Sequence, residues 1–362
     1  MSNSDLASRL GHKTGEPVSI GCMRCPDLNL CGGLRTAESR FDCLIFCECP
    51  DRSKCNLACP NNPEIFIERT REVLGFDLSN TPRGPVLEYP TLAKCIPMIY
   101  HSSRRAKPLD HEAVAIPLSY ILNRKTGRLR FENREELADN FGIGVDSKLV
   151  IVGVDQDQPI EDYWGLRRVA KIPEHLAMLK PDLITSPNYS LALDVVRHEN
   201  LHNMKRIAIC WSEFVLAGIP TSLHLNGLTE RDWERWTEFV AERDEIKSVS
   251  FEFATGPARA EWGNWYVKRL VDLASKIDRD LQLVVRGGYA YLHKLKRAFK
   301  DVVFIDTTSF VKTMMRQKIV LKGGKHDWIS GRTAPNVMLD KLLVHNVKHY
   351  GEVVANRIEV SR

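Results

Sequence analysis

From residue 148 onward, short and continuously apolar runs alternate with stretches of helical periodicity, and this pattern limits the fold more tightly than any other feature. The runs are KLVIVGVD, DLITSPNYS, RIAICW, IPTSLHLN, SVSFEFAT, LQLVVRG and DVVFIDT. A strand with one wet face alternates apolar and polar residues, whereas a strand covered on both faces need not. The runs therefore predict parallel strands flanked by helices, which the intervening sequence supplies near 171–180, 190–203, 229–244, 259–277 and 288–300. With AVAIPLS as an eighth strand, the expected architecture is an α/β fold, a (β/α)8 TIM-barrel-like domain. An open doubly wound sheet is the alternative, but no G-x-G-x-x-G or G-x-x-x-x-G-K-[ST] loop marks its nucleotide site.

The barrel is expected to follow a small cysteine-rich domain. Eight of the ten cysteines lie in one segment, as Cys22, Cys25 and Cys31, then Cys43, Cys47, Cys49, Cys55 and Cys59. In a reducing compartment such density points to metal rather than to disulfides. Eight thiolates divide into two four-ligand sites, suited to two [4Fe-4S] clusters or two Zn2+ ions. The segment has few large apolar residues, so metal would supply much of its folding free energy. Cys25, Cys49 and Cys59 each precede proline, a habit of iron–sulfur loops, while only Cys22 and Cys25 form the CxxC pair typical of zinc. Both metals stay open. The C-x3-C-x2-C triplet of SAM-cleaving clusters is absent, because Cys49 follows Cys47 one residue too soon.

The full division expected is 1–61 for the metal domain, 62–145 for a connecting region, 146–320 for the barrel and 321–362 for a basic, helical tail. Within the connecting region, Glu64–Leu74 reads as an amphipathic helix. IPLSYIL and LRF read as a hairpin around Asn123–Gly127, whose glycine allows a tight turn.

Barrel chemistry gathers at the C-terminal ends of strands. Those ends supply Asp155, Glu213, His224, Glu252 and Asp306 as candidate catalytic acids and bases. The same carboxylates could hold a divalent metal. Asn188, Trp211, Asn226 and Arg286 are candidate substrate-binding residues. The net charge is modest, 51 Lys and Arg against 46 Asp and Glu, but basic residues cluster. Arg104, Arg105, Lys107, Arg124, Lys125 and Arg128 form one group, and Lys312 to Lys325 carries five more without an acid. Such runs are candidate phosphate contacts for DNA or RNA. Trp233, Trp236, Trp262 and Trp265 have the spacing of helix packing, with base stacking as the sharper alternative. His345 and His349 share a helix face without an H-E-x-x-H motif.

Two resemblances add to this. CMRCPDLNLCGG resembles the C-x2-C-P-x4-C-G-G segment of SPASM-type auxiliary cluster domains, which implies [4Fe-4S] ligation by Cys22, Cys25 and Cys31 with a fourth ligand from the later group. Ile160-Glu161-Asp162-Tyr163-Trp164, Ser186-Pro187-Asn188-Tyr189-Ser190, Trp211 and Gly218-Ile219-Pro220 resemble a family found in phages, prophages and plasmids, defined only as a domain of unknown function. Arg286-Gly287-Gly288 falls where that family has a glycine-terminated strand. Asn188 departs from the family's aspartate, so a carboxylate role there is lost or taken over elsewhere. That resemblance implies a mobile-element context and no particular reaction.

The expected function is thus an iron–sulfur or zinc barrel protein of a mobile-element or defence system. It would act on a nucleotide or nucleic acid at the barrel rim. The alternative is a non-enzymatic nucleic-acid-binding or assembly subunit, with other protein subunits as partners. No apolar run approaches the roughly 18 residues a bilayer crossing needs. The opening MSNSDLASRLGHKTGEP lacks a signal-peptide core, so no membrane partner and a cytoplasmic location are expected.

Overall fold

The computed structural model describes residues 63–192, 197–254, 260–322, 325–331, 334 and 337–359. The cysteine-rich segment, with all eight cysteines assigned to metal, lies outside the described residues.

Eight parallel strands form one sheet: β1 (Cys95–Pro97), β2 (Ala113–Pro117), β3 (Lys148–Val152), β4 (Leu183–Thr185), β5 (Thr221–His224), β6 (Ser248–Glu252), β7 (Gln282–Arg286) and β8 (Asp301–Asp306). From β2 to β8 each strand pairs with the next in chain order, and β8 pairs back onto β1 through Cys95 with Phe304 and Ile96 with Ile305. The remaining seam, β1 to β2, is held by a single bridge between Met98 and Ala115. The Ile99 N–H donates to the Ala115 carbonyl at 2.8 Å across the same seam. The result is a nearly closed parallel barrel, as the continuous apolar runs predicted.

Helices cover its outside. In chain order they are α1 (Pro63–Glu72), α2 (Leu118–Ile121), α3 (Arg134–Phe141), α4 (Asp157–Leu166), α5 (Ile172–Met178), α6 (Arg197–Leu216), α7 (Glu230–Ala241), α8 (Ala260–Lys276), α9 (Leu292–Leu295), α10 (Thr308–Met314) and α11 (Asp340–Glu359). Local sequence explains their ends: Thr229 and Asp232 make a reciprocal capping box on α7, and Asn133 caps α3. After α10, β9 (Gln317–Lys322) and β10 (Lys325–Ser330) form an antiparallel ribbon that packs with α11. No helix among the described residues is long and apolar enough to cross a membrane.

Two expectations need correction. RIAICW is not a strand but lies inside α6. Ile207, Cys210, Trp211 and Phe214 are all fully buried, and their i, i+3, i+4, i+7 spacing is a helical stripe. The strand that takes its place in the barrel is Cys95–Pro97, too short and too close to proline to stand out. In the expected hairpin, IPLSYIL divides between β2 and α2, leaving one antiparallel bridge, Leu122 to Leu129. The turn itself forms as expected: Gly127 has φ +70° and donates to the Asn123 carbonyl at 2.8 Å.

The segment before β1 is strapped to the barrel flank by two buried cations. Lys205 on α6 donates to the Asp77 carbonyl (2.6 Å), to Thr81 Oγ1 (2.9 Å) and to Asn80 Oδ1. Arg243 donates to the carbonyls of Ser79 (3.1 Å), Thr81 and Pro82 (3.3 Å), and pairs with Glu245 at 3.2 Å.

Candidate active site at the barrel mouth

Successive side chains of a strand point to opposite faces, so each barrel strand sends alternate residues into the lumen. Two apolar clusters identify the faces. Ile96, Met98, Ala115, Val150, Val152, Leu183, Val284, Val303 and Ile305 form the inner one. Leu223, Leu225, Val249, Phe251, Phe253 and Val285 belong to the outer one. By this alternation His224, Ser248, Ser250, Glu252 and Arg286 face inward.

Three of the expected site residues therefore meet at the C-terminal end of the lumen, on the consecutive strands β5, β6 and β7. Glu252 pairs with Arg286 in register, and Arg286 Nε lies 2.6 Å from Glu252 Oε2. Glu252 Oε1 accepts the Ala254 N–H, and Arg286 Nη1 reaches the Val154 carbonyl at 3.2 Å. Burial raises the Glu252 pKa even though Arg286 opposes the shift. His224 is 2% exposed; burial, reinforced by the Arg286 charge, lowers its pKa to about 3 and keeps the imidazole neutral. Its Nδ1 has no hydrogen-bond partner among the described residues. Gly287, at φ +74°, ends β7 where a Cβ would stand 2.7 Å from the Ala254 nitrogen. Only glycine lets the β6 and β7 exits approach this closely.

Asp155 stands beside this group, not in it. It accepts from Ser119 Oγ and from its neighbour Gln156 N–H (2.8 Å), next to a cleft also lined by Pro187 and Tyr163. Tyr100 extends β1 into the mouth; burial raises its phenol, with Arg286 opposing. Its ring packs 5.8 Å from Tyr120, which is exposed. Asn188 accepts the Asp155 N–H at 3.2 Å, and Asn226 donates to the Tyr189 carbonyl at 2.8 Å, so both tie the rim loops together.

The other expected members are elsewhere. Asp306 follows inward-facing Ile305, so it points outward and caps α10 through the N–H groups of Thr308 (2.7 Å) and Ser309 (3.1 Å). Burial raises its pKa despite those donors. Trp211 and Glu213 sit on α6, because the run that was expected to carry them to the rim is helical. Trp211 Nε1 donates to the Thr221 carbonyl at 3.2 Å, and Glu213 pairs with Arg167 (2.8 Å) and Arg168 (3.0 Å).

The basic run divides between two loops. Arg105 is structural: its guanidinium donates to the carbonyls of His101 and Gly142 (both 2.8 Å) and of Phe141, closing the end of α3. Arg104 and Lys107 are exposed on the same loop, which Asp340 holds through the Lys107 N–H at 3.0 Å. Arg124, Lys125 and Arg128 are exposed on the β2–β3 turn, with Arg124 paired to Asp162 at 2.7 Å. Trp233, Trp236 and Trp265 are buried. Trp233 and Trp236 donate to the carbonyls of Gly227 (3.2 Å) and Asn226 (2.8 Å). Packing is thus their role, as their spacing suggested. His345 contacts the Ile319 carbonyl and His349 contacts Glu352, both at 3.0 Å. Among the described residues no three His, Cys, Asp or Glu side chains gather as a metal set.

Sequence reasoning missed Ser250 and Tyr100. For Ser250 a signal existed: S-V-S-F-E-F alternates polar and apolar, unlike A-V-A-I-P or K-L-V-I-V, and so marks a polar lumen wall.

Fold and site together define a parallel α/β barrel with ionisable side chains in its C-terminal mouth. No protein-family model and no curated protein matches the chain.

Proposed function

We propose that the chain is a barrel enzyme of a mobile-element or defence system, acting on a nucleotide or nucleic-acid substrate at the C-terminal mouth. The observation that carries this reading is the convergence of His224, Glu252 and Arg286 on three adjacent strands at the end where barrels do chemistry. Arg286 supplies a cation and orients the Glu252 carboxylate. Glu252, with a raised pKa, is suited to hold or pass a proton, and the neutral His224 to donate or accept a hydrogen bond. The eight clustered cysteines form a donor set that suits iron–sulfur clusters or zinc. Clusters there would supply electrons, and zinc would brace the fold.

The test has two parts. On protein purified without air, about eight irons per chain with a broad band near 400 nm supports clusters, whereas about two zincs and no band supports a structural metal. Thermal shift with nucleotides and short oligonucleotides should then find a ligand that stabilises the wild type but not Arg286→Ala or Glu252→Gln.

The second reading, a non-enzymatic nucleic-acid-binding or assembly subunit, is favoured by the exposure of Arg104, Lys107, Lys125 and Arg128. It requires binding that falls steeply with salt, survives Arg286→Ala and is lost when Lys125 and Arg128 become Ala.

A further inference from the structure

His224 and Ser250 are register partners on β5 and β6 and face the same side, the lumen. They are 2% and 3% exposed, and neither His224 Nδ1 nor Ser250 Oγ has a hydrogen-bond partner among the described residues. Glu252 Oε2 and Arg286 Nε, just above, are joined as an ion pair but also lack a hydrogen-bond partner among those residues. Buried polar side chains in native proteins nearly always have partners, so this group of unpartnered atoms on one wall marks a place where another molecule's polar atoms belong. The charges above them, Glu252 and Arg286, pair with each other at 2.6 Å. A net charge brought down to His224 would find no free counter-charge among these groups, and burying it would be costly. Away from β5 and β6, Met98, Val152 and Ile305 present an apolar wall to the lumen. Tyr100 and Tyr120 stand at the entrance with ring centroids 5.8 Å apart.

We infer that the upper lumen receives a neutral, flat group with donors and acceptors along one edge, namely a nucleobase, whose edge bonds to His224 Nδ1 and Ser250 Oγ. The sugar and phosphate then remain at the mouth. This rests on the nucleotide reading above and deepens it by stating which end of the substrate enters. Burial and Arg286 keep His224 neutral, which leaves Nδ1 free to take whichever tautomer the base edge demands. A flat heterocycle also has apolar faces for the opposite wall, which a phosphate lacks.

The test is calorimetric titration of the full, metal-loaded chain with adenosine, guanosine, cytidine and uridine, their 5′-monophosphates, and ribose 5-phosphate. At least one nucleoside should bind, and ribose 5-phosphate should not compete with it. Ser250→Ala should weaken that nucleoside about five- to tenfold, and His224→Ala by about tenfold or more. Ser250→Ala serves as the variant that stays folded, since its hydroxyl has no hydrogen-bond partner among the described residues; its melting curve checks this. If monophosphates bind while nucleosides do not and ribose 5-phosphate competes, the base does not enter the lumen, and this inference fails while the nucleotide reading stands. Nucleoside affinity unchanged within about twofold in Ser250→Ala overturns it in the same way. If no nucleoside or nucleotide binds the wild type, both fail together.

Discussion

The two ends of the barrel lumen contain the same kinds of residue and use them differently. At the end where the strands begin, polar groups satisfy one another. Lys94 pairs with Asp301, Ser248 Oγ donates to Ser222 Oγ at 2.9 Å and lies 3.1 Å from Gln282 Oε1, and Tyr89 donates to the Thr221 carbonyl at 2.9 Å. Where the strands end, Glu252 and Arg286 form an ion pair at 2.6 Å, but among the described residues Glu252 Oε2, Arg286 Nε, His224 Nδ1 and Ser250 Oγ all lack a hydrogen-bond partner. A closed network lowers the free energy of the fold, whereas leftover donors and acceptors raise it unless a ligand or solvent answers them. On the proposed reading, one end is organised for stability and the other for binding.

That contrast can be broken or sharpened by substitution. The largest effect should come from the flank that supports the closed end. Arg243→Ala removes a cation only 2% exposed, whose donors hold the carbonyls of 79, 81 and 82, and should cost about 3–5 kcal/mol in urea melts. Ligand binding at the mouth should persist in whatever fraction stays folded.

Acid comes next. The folded-state pKa of His202 on α6 is lowered to about 4, by burial and then by Arg206, and that of His224 to about 3, against an ordinary 6.5. Both are depressed, so the unfolded chain binds the extra protons. The stability they contribute is complete above about pH 6.5 and is lost as pH falls toward the folded values. At pH 5 each should cost roughly 2 kcal/mol. His224→Asn should remove the share that His224 contributes between pH 6.5 and 5, roughly 1.5–2 kcal/mol, and a profile with unaltered slope would contradict the placement of His224.

Gly287→Ala should cost about 1–3 kcal/mol, because it forces a positive φ and a 2.7 Å approach to Ala254. It should weaken ligand binding as well, since it displaces the loop that holds Glu252. The smallest and sharpest comparison is between two serines on one strand. Ser248→Ala breaks a closed network and should cost about 1–2 kcal/mol; Ser250→Ala should leave melting within about 0.5 kcal/mol of wild type. Equal losses would erase the distinction between the two ends.

Much of the barrel was legible because strands covered on both faces are largely apolar, and six of the seven expected runs contain barrel strands. RIAICW misled because six residues hold too little of a helical period to distinguish it from a strand. Only the flanking Phe214 and Met204 complete the stripe. Cys95–Pro97 was hidden because three residues give no period at all. At the site, residue types were legible and directions were not. Asp306 and Arg286 both end strands, yet one faces the helices and the other the lumen, because a one-residue change of register reverses every side chain. That register is set by pairing between strands, which a single sequence does not display.

The most direct test of the open upper lumen is a crystal structure of the full chain with the stabilising nucleoside or nucleotide bound, read at His224 and Ser250. Density for a planar group within hydrogen-bond distance of both His224 Nδ1 and Ser250 Oγ is the expected result. Finding those two atoms bonded to each other or to other protein atoms, with the ligand held only at the rim, would show the upper end to be as closed as the lower one.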